Sequence, residues 1–400
     1  MGGPPLLEQG QLSVGEIPPQ QKTPGGRTPK IRRVIFLGIY LAGLVLFLEI
    51  AGRVTWLCLD KTWGLLVPQE ISRFDDMLGW SLVPGARAVS KSTGQPIEYA
   101  INSAGFRDRE YPLEKPEGTF RILLLGDSHT FGFGVPLEKH FSKLLEGYFR
   151  NVEVLNMGVN GYGLDQELLL LRDKGLAYHP DVIVVYVPHY MDNRHVRDKV
   201  WGMGKPRFLL EDGRLVPTNR PVTNNSFVYR LLLDGDRFLS KWSKAYLLMR
   251  DAVIHFFVQE DRIKAENLPD DLARTIDPHA APDAAGEKPH ETAEPDALQL
   301  EVNRLGEAIV SAMSEEAKAH GATFVLVTRR GELAVSSIKN AIPTLYLHDP
   351  LQNPGLILAG DPTRHPNEPA SGILAWEISK FLNENRMIPE THLPRGGGPK

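Results

Sequence analysis

A serine follows directly on an apolar run in the stretch RILLLGDSHTFGFGV, residues 121–135. The aliphatic residues before the Gly-Asp-Ser step indicate a buried strand, which predicts that Ser128 stands at a strand end. A serine hydroxyl becomes a nucleophile when a base, usually a histidine oriented by a carboxylate, removes its proton. Two interpretations follow: a tight turn that contains a serine, or a nucleophile held at the end of a core strand.

A candidate base and its carboxylate partner occur together near the C-terminus. His365 lies in LAGDPTRHPNEPASGILAWEI, residues 358–378, with Asp361 four residues before it and a helical pattern after it. An aspartate and a histidine on one short loop can form the carboxylate–imidazole pair locally. The fold then has only to bring this loop to Ser128.

Acyl transfer to a serine also needs hydrogen-bond donors for the oxyanion that develops on the substrate. The stretch NMGVNGYG, residues 156–163, supplies glycines whose backbone N–H groups can approach a ligand closely. Gly161 is the strongest candidate among them, and the N–H of Ser128 is a second donor.

The elements that must position these residues alternate along the chain. Strand-like runs occupy 121–125, 152–157, 181–187, 323–328 and 344–349, and helix-like segments occupy Glu138–Arg150, Leu164–Ala177, Ala297–His320 and Ala370–Asn385. Continuous apolar strands that alternate with helices predict a parallel sheet covered on both faces. In such sheets ligands bind at the carboxyl ends of the strands, where Ser128 is predicted to lie.

The N-terminus indicates a membrane anchor. Residues 1–33 are rich in Pro, Gly and Gln and are predicted to be a disordered tail. The apolar run Val34–Gly52 rises about 28 Å as a helix, close to the thickness of a bilayer core. Lys30, Arg32 and Arg33 precede the run, so the positive-inside rule predicts a cytoplasmic tail and an exported remainder. A cleaved signal peptide and a buried globular helix are the alternatives, both less favoured by the length and all-round apolarity of the run.

Composition excludes several classes of function. The net charge is −4 and no long basic run follows the N-terminus, so no nucleic-acid partner is expected. Cys58 is the single cysteine, which excludes an internal disulfide and a CxxC metal site. No carboxylate is spaced with the histidines for a facial metal triad, and the glycines match neither a P-loop nor a G-x-G-x-x-G pattern, so neither a metal nor a cofactor is predicted.

Two further regions have their own character. Residues 55–120 hold short mixed runs between turn signals, which predicts a small β-rich lead-in module. Residues 196–296 interrupt the strand–helix alternation: 264–295 are Pro-, Ala- and acid-rich and are predicted to be disordered. Residues 196–260 hold enough aromatic residues to form a cap over the site, and a solvated insertion without a role is the alternative.

Taken together, the blocks GDSHTFGFG, NMGVNGYG and DPTRHPN resemble, in order and spacing, those of the SGNH (GDSL-type) hydrolase superfamily. The lead-in blocks LEIAGR, LGWSLVPG, INSAGFRD and GTFRILLLGDS resemble membrane-anchored bacterial members. The match covers residues 34–195 and 298–385. It implies a flavodoxin-like three-layer α/β/α sandwich at 121–390 that acts on esters without a metal, preceded by one transmembrane helix and the β-rich module.

The resemblance implies Ser128 as nucleophile, Gly161 as oxyanion donor, His365 as base and Asp361 as its orienting carboxylate. Two blocks depart from the family pattern. Asp361 precedes His365 by four residues instead of two or three. The third block is PHYMDNRH, residues 188–195, in which Asn193 is the candidate oxyanion amide and His189 and Met191 are alternatives for the same position.

The sequence thus predicts a serine esterase anchored in the inner membrane through residues 34–52, with its catalytic domain in the periplasm. Its substrate is expected to be an acylated small molecule, lipid or glycan. An O-acyltransferase that modifies envelope glycans with the same triad, and a catalytically silent glycan-binding module, remain alternatives. Arg107 and Asp108 are predicted to pair with each other and to hold the lead-in module against the sheet.

Overall fold

A computed structural model describes the parts of the chain that carry the fold. They are residues 28–59, 71–90, 95–188, 194–200, 203–222, 239, 242–249, 252, 297–329, 342–347, 353–359 and 364–393. The chain divides into two compact units, Met1–Ala51 and Gly52–Lys400.

The N-terminal helix α1 runs over Thr28–Leu59. It begins six residues before the predicted start at Val34, so that residues 28–33, assigned to the tail by their composition, are helical. Pro29 in the first turn suits this start, because a proline there sacrifices no hydrogen bond within the helix. The segment Lys30–Thr55 contains an 18-residue window with a mean hydropathy of 2.5 and is long and apolar enough to cross a membrane, features that a signal sequence shares.

Two antiparallel hairpins follow in the second unit. The first pairs β1 (Ser72–Asp75) with β2 (Gly79–Leu82), and the second pairs β3 (Arg87–Ser90) with β4 (Ile97–Ala100). Both hairpins lie within residues 55–120, where the sequence predicts a small β-rich module. The inward side chains of this module pack against Phe131 and Phe133, which follow Ser128 in the chain.

The remaining strands and helices alternate along the chain. In chain order they are β5 (Phe120–Gly126), α2 (Ser128–Phe131), α3 (Phe141–Gly147), β6 (Val152–Asn156), α4 (Leu164–Asp173), β7 (Val182–Val187), β8 (Lys199–Val200), β9 (Met203–Gly204), β10 (Arg207–Glu211), β11 (Arg214–Thr218), α5 (Ala297–Ala319), β12 (Thr323–Arg329), β13 (Thr344–Leu347) and α6 (Glu368–Glu384).

Five of these strands form one parallel sheet in the order β13-β12-β7-β5-β6. Counted from β5 as the first strand, this is the flavodoxin-like order 2-1-3-4-5, which confirms the predicted α/β sandwich. The order reverses at β5, between β6 and β7. Ser128 follows β5 directly and so lies at the topological switch point, where ligands bind in this type of sheet.

Both faces of the sheet are buried, which explains why its strands are largely apolar, and the buried charged residues Arg121 of β5 and Glu153 of β6 form an ion pair with each other. Leu123 and Leu125 of β5 pack on the side of α4 and α5, and Ile122 and Leu124 pack on the side of α3 and α6. All four side chains are almost wholly buried. Burying a leucine or isoleucine stabilises a fold by about 1.5–3 kcal/mol, so β5 is anchored firmly up to the step that carries Ser128.

The first part of the 196–260 region packs on the body of the fold. The β8–β9 and β10–β11 hairpins place Met203 and Phe208 in the core cluster that includes α4 and α5. Lys205 is fully buried, forms an ion pair with Asp165 of α4 and donates to the carbonyl of Arg194 at 3.0 Å. Because of these buried contacts, the β8–β9 and β10–β11 hairpins are not a solvated insertion. The segment predicted to be disordered, 264–295, lies outside the described residues.

The helix predicted between β5 and β6 is shorter than expected, because a helix cap interrupts it. The helix predicted over Glu138–Arg150 is α3 alone, preceded by a 3-10 turn at Leu137–Lys139. His140 separates the two because its backbone is extended and its ring accepts the N–H of Ser142 as a helix cap.

Candidate active site

Ser128 is the first residue of α2, directly after the end of β5. The carboxylate of Asp127 caps the helix by accepting the N–H of His129 at 2.9 Å. Gly126 makes the turn possible: a Cβ there would lie 2.1 Å from Thr130 Oγ1 and 2.9 Å from the carbonyl oxygen of Tyr186. The strand end therefore requires glycine and presents the Ser128 hydroxyl at the ligand edge.

His365 lies against this hydroxyl. Its Nε2 is 2.6 Å from Ser128 Oγ, a short hydrogen bond between residues 237 positions apart in the sequence. The imidazole is 7 % exposed and is flanked by the rings of His129 at 4.8 Å and Phe133 at 4.7 Å between centroids. This packing fixes the plane of the ring, so that Nε2 points at the serine.

The loop that carries His365 is held by backbone pairing. The carbonyl of His365 accepts the N–H of Leu358 at 2.9 Å, and Ile357 forms an antiparallel bridge with Pro366. Asn367 caps α6 and donates through Nδ2 to the carbonyl of Gly355 at 2.8 Å. The start of α6 thus positions the candidate base.

Two of the predicted site residues lie outside the described residues. Asp361, the predicted partner of the imidazole, precedes the described part of the His365 loop. Asn193 and its alternatives His189 and Met191 belong to the segment 189–193, which is likewise outside. Their roles stay predictions.

Gly161, the predicted oxyanion donor, has a φ of 77°, a left-handed conformation that suits glycine. The indole N–H of Trp80 in β2 donates to the carbonyl of Asn160 at 2.9 Å. That carbonyl and the N–H of Gly161 belong to one planar trans peptide and point in opposite directions. Trp80 therefore fixes the direction in which the Gly161 N–H points.

The loop that carries Gly161 lies directly on the helix that begins at Ser128. A Cβ at Gly158 would be 2.2 Å from the backbone nitrogen of Phe131, so backbone meets backbone here. The N–H of Val159 donates to the carbonyl of Gly126 at 3.1 Å. These contacts bring the ends of β5 and β6, and with them two predicted site residues, to one edge of the sheet.

The charged carboxylate of Asp127 links the helix that begins at Ser128 to the loop that carries Gly161. Its carboxylate lies 3.2 Å from His129 Nδ1 and 3.3 Å from Arg194 Nη1, and Arg194 Nη1 also donates to the carbonyl of Tyr162 at 3.2 Å. Burial alone would raise the pKa of the Asp127 carboxyl, but His129 and Arg194 outweigh it and hold that pKa far below its usual value. The ionised carboxylate braces the serine helix, as its position beside Ser128 suggests.

Arg107 supports the loop after Ser128 from the lead-in module. Its buried guanidinium donates to the carbonyls of Phe131 at 3.1 Å, Gly132 at 2.5 Å and Val135 at 2.6 Å, and lies 4.4 Å from the centre of the Tyr99 ring. Burial lowers the pKa of Arg107 to about 10, which leaves it charged at neutral pH. Nothing in the sequence around Arg107, an arginine among turn residues, indicates that its partners are these three carbonyls.

The predicted pairing of Arg107 with Asp108 is wrong. Asp108 instead lies 2.8 Å from Lys143 Nζ of α3 and accepts the N–H of Asn156 at 2.8 Å, at the end of β6. Both side chains do tie the lead-in segment to the α/β body, each through its own partners.

Within the part of the chain that the structure describes, no three His, Cys, Asp or Glu side chains are grouped as metal ligands would be.

Solved structures similar to this chain are lipolytic proteins and esterases. One, assigned to the G-D-S-L lipolytic family of Desulfitobacterium hafniense DCB-2, is 13% identical at a TM-score of 0.33, covering 66% of this chain and 100% of that one. A G-D-S-L family member from Veillonella parvula DSM 2008 is 12% identical at 0.32, covering 66% and 99%. The psychrotrophic esterase EstA from Pseudoalteromonas sp. is 12% identical at 0.31, covering 66% and 98%.

At these identities and TM-scores the likeness carries no conclusion about activity or substrate. No protein-family model matches the sequence, and no curated protein matches it. Conclusions about chemistry therefore depend on the residues of this chain.

Proposed function

We propose that this protein is a serine esterase of the SGNH type, with Ser128 as nucleophile and His365 as general base. The observation that carries the proposal is the 2.6 Å contact between His365 Nε2 and Ser128 Oγ at the switch point of a flavodoxin-like sheet. A nucleophile and a base within hydrogen-bond reach, with the base oriented by its surroundings, are the geometric requirement for covalent catalysis.

In the proposed reaction, His365 Nε2 takes the proton of Ser128 as Oγ attacks the acyl carbon of the ester. The tetrahedral intermediate collapses, and the alcohol leaves with the proton from His365, which gives an acyl-serine. A water molecule then gives its proton to His365 and attacks the acyl-serine. Collapse of the second intermediate releases the carboxylic acid and restores the Ser128 hydroxyl.

Backbone groups supply the oxyanion site in this proposal. The N–H of Ser128 belongs to the first turn of α2, where N–H groups have no partner within the helix. The N–H of Gly161, directed by the Trp80 contact, is the second donor. The side-chain amide of Asn193 is proposed as the third donor, because Asn193 comes six residues after the end of β7, which is a neighbour of β5 in the sheet.

Asp361 is proposed to accept the Nδ1 proton of His365 and so to hold the tautomer in which Nε2 can act as base. Its spacing of four residues on the same loop supports a local pair. Replacement of Asp361 by asparagine is the direct test, because it keeps the shape and removes the charge.

We place the enzyme in the inner membrane, with residues 34–52 as a single span, the tail 1–33 in the cytoplasm and the domain 121–390 in the periplasm. The apolar run 34–52 within the helical segment Lys30–Thr55, and the basic residues Lys30, Arg32 and Arg33 before that run, support this topology. The substrate class that fits this location is an ester-linked acyl group on an envelope lipid, glycan or small molecule.

The test uses the full chain in lipid nanodiscs with a panel of short-chain activated esters. Wild type is compared with Ser128→Ala and with Ser103→Ala, an exposed serine of the lead-in module. We expect Ser128→Ala to lose activity by about 10³-fold or more, as when a catalytic serine is removed, and Ser103→Ala to match wild type. Hydrolysis by Ser128→Ala at the wild-type rate would exclude the proposal.

The same assay separates an esterase from an O-acyltransferase. The two differ in whether water or a sugar hydroxyl attacks the acyl-serine. If added envelope glycans become acylated and speed the turnover of the ester, the protein is an O-acyltransferase. If no glycan changes the rate of hydrolysis, the protein is the esterase that we propose.

A further inference from the structure

An exposed apolar face lies on the segment 239–249, far in sequence from the candidate active site. Leu239, Trp242, Tyr246 and Met249 recur at intervals of three, four and three residues, which places them on one face of a helix. The hydrogen bonds from the N–H of Ser243 to Leu239 O at 2.8 Å and from that of Leu247 to Ser243 O at 3.3 Å give the helical pattern.

Three of these four side chains are exposed, and Tyr246 is half-buried. Trp242 is 69 % exposed and Met249 52 %, whereas Leu247 on the opposite side is buried at 4 %. An exposed cluster of large apolar side chains marks an interaction surface more often than an ordinary solvated one. We call Leu239, Trp242, Tyr246 and Met249 the Trp242 face.

The segment is attached where the apolar N-terminal run ends. The backbone of Ala245 approaches Gly52 so closely that a Cβ on Gly52 would lie 2.5 Å from Ala245 N. Arg53 Nη2 donates to the carbonyl of Trp242 at 3.1 Å. Gly52 and Arg53 are in the last turn of the window Lys30–Thr55, about 5 Å from its end at 1.5 Å per residue.

We propose that the Trp242 face docks on the phospholipid surface of the membrane that α1 crosses. The inference rests on the proposed membrane span and is independent of the chemistry at Ser128. If residues 34–52 span the bilayer, Gly52 and Arg53 lie at the end of the span, at the headgroup level, and the segment fastened to them lies at the same level.

The chemistry of the segment fits a bilayer surface. Tryptophan and tyrosine are enriched at the membrane–water interface because their rings are apolar and their N–H or O–H groups are polar. The sequence 239–250, LSKWSKAYLLMR, contains three basic residues and no acidic one. Basic residues near an anionic lipid surface strengthen binding to it electrostatically. The contact would hold the catalytic domain at a fixed distance from its membrane.

The test uses single-cysteine variants of the full chain in nanodiscs that hold one chain each. Cys58, the only cysteine, is replaced by serine, and Trp242→Cys or Met249→Cys is labelled with an environment-sensitive fluorophore. Leu113→Cys, an exposed position of the lead-in module, is the water-exposed control, and Leu44→Cys in α1 is the membrane control. Quenching by brominated lipids and by aqueous iodide is then measured.

We expect brominated lipids to quench the labels at 242 and 249 about twofold or more, as for a face buried in the headgroup region, and to leave the label at 113 unaffected. Quenching at 44 but not at 242 and 249 would overturn the proposal while leaving the span intact. Protection at 242 from iodide without quenching by brominated lipids would also overturn it, because a protein surface would then cover the face.

Discussion

The indole N–H of Trp80 lies 2.9 Å from the carbonyl oxygen of Asn160, so a hairpin of the lead-in module holds the peptide that presents the Gly161 N–H. The hydroxyl of Tyr162 donates back to the carbonyl of Trp80 at 2.6 Å, and the two rings meet edge to face at 5.7 Å. The lead-in module is therefore part of the machinery that shapes the site.

Trp80→Phe should lower kcat about tenfold with little change in KM, a smaller effect than the 10²–10³ expected when an oxyanion donor is lost. The phenyl ring keeps most of the packing but cannot donate to Asn160, so the Gly161 N–H is less well directed. Trp376→Phe, at a partly exposed position on α6, is the matched control. A Trp80→Phe enzyme that changes KM alone would argue for a role in substrate binding instead.

Gly158→Ala should both destabilise the protein and suppress activity. Its Cβ would lie 2.2 Å from Phe131 N, and backbone cannot yield as a flexible side chain can. Overpacking of this kind costs about 1–3 kcal/mol of unfolding free energy. Gly372→Ala in α6 is the control: nothing lies within 4 Å of its Cβ, and alanine there should stabilise by about 0.5–1 kcal/mol. Denaturant unfolding of both variants measures the contrast.

Arg107→Lys should lower the free energy of unfolding by about 2–4 kcal/mol, because one ammonium cannot replace a guanidinium that satisfies three carbonyls, and each buried carbonyl left unpaired costs about 1–3 kcal/mol. Loss of order at 131–135 should reduce kcat as well. Arg87→Lys, in a surface ion pair with Glu98, should change stability by less than about 0.5 kcal/mol. Equal losses of unfolding free energy in Arg107→Lys and Arg87→Lys would mean that the three hydrogen bonds of Arg107 stabilise the fold no more than a surface ion pair does.

The buried His140 should make the free energy of unfolding depend on pH. Burial, and then the charge of Arg107, lower the pKa of His140 to about 3, against 6.5 for a free histidine. Between these values the unfolded chain binds a proton that the folded chain does not, so stability falls as pH falls, by at most about 1.4 kcal/mol per pH unit. His140→Asn keeps the helix cap and should flatten the slope between pH 6.5 and 4.

The control for this measurement is His320→Asn at the exposed end of α5, which should leave the slope unchanged. A wild-type slope that persists in His140→Asn would assign the pH dependence to other groups.

The sheet can be predicted from the sequence because its strands are apolar at most positions, and the positions of Ser128 and Gly161 follow from where those strands end. His365 is singled out by Asp361 four residues before it and by the helical pattern after it. These are local signals, read within about twenty residues.

Trp80, Arg107 and Arg194 carry no such signal. Trp80 contacts a residue 80 positions away, and Arg194 binds Asp127 across 67 positions. Pairing Arg107 with its neighbour Asp108 failed because each binds groups that only the tertiary fold brings close. A contact that depends on packing cannot be read from periodicity or spacing.

The most direct test of the central claim is the reaction of the full chain with a fluorophosphonate, followed by proteolysis and mass spectrometry of the adduct. We predict a single adduct on the hydroxyl of Ser128. In His365→Ala the labelling rate should fall by about 10² or more, the usual contribution of a general base. An adduct on another residue, or labelling of Ser128 at the wild-type rate without His365, would contradict the assignment of Ser128 and His365 as nucleophile and base.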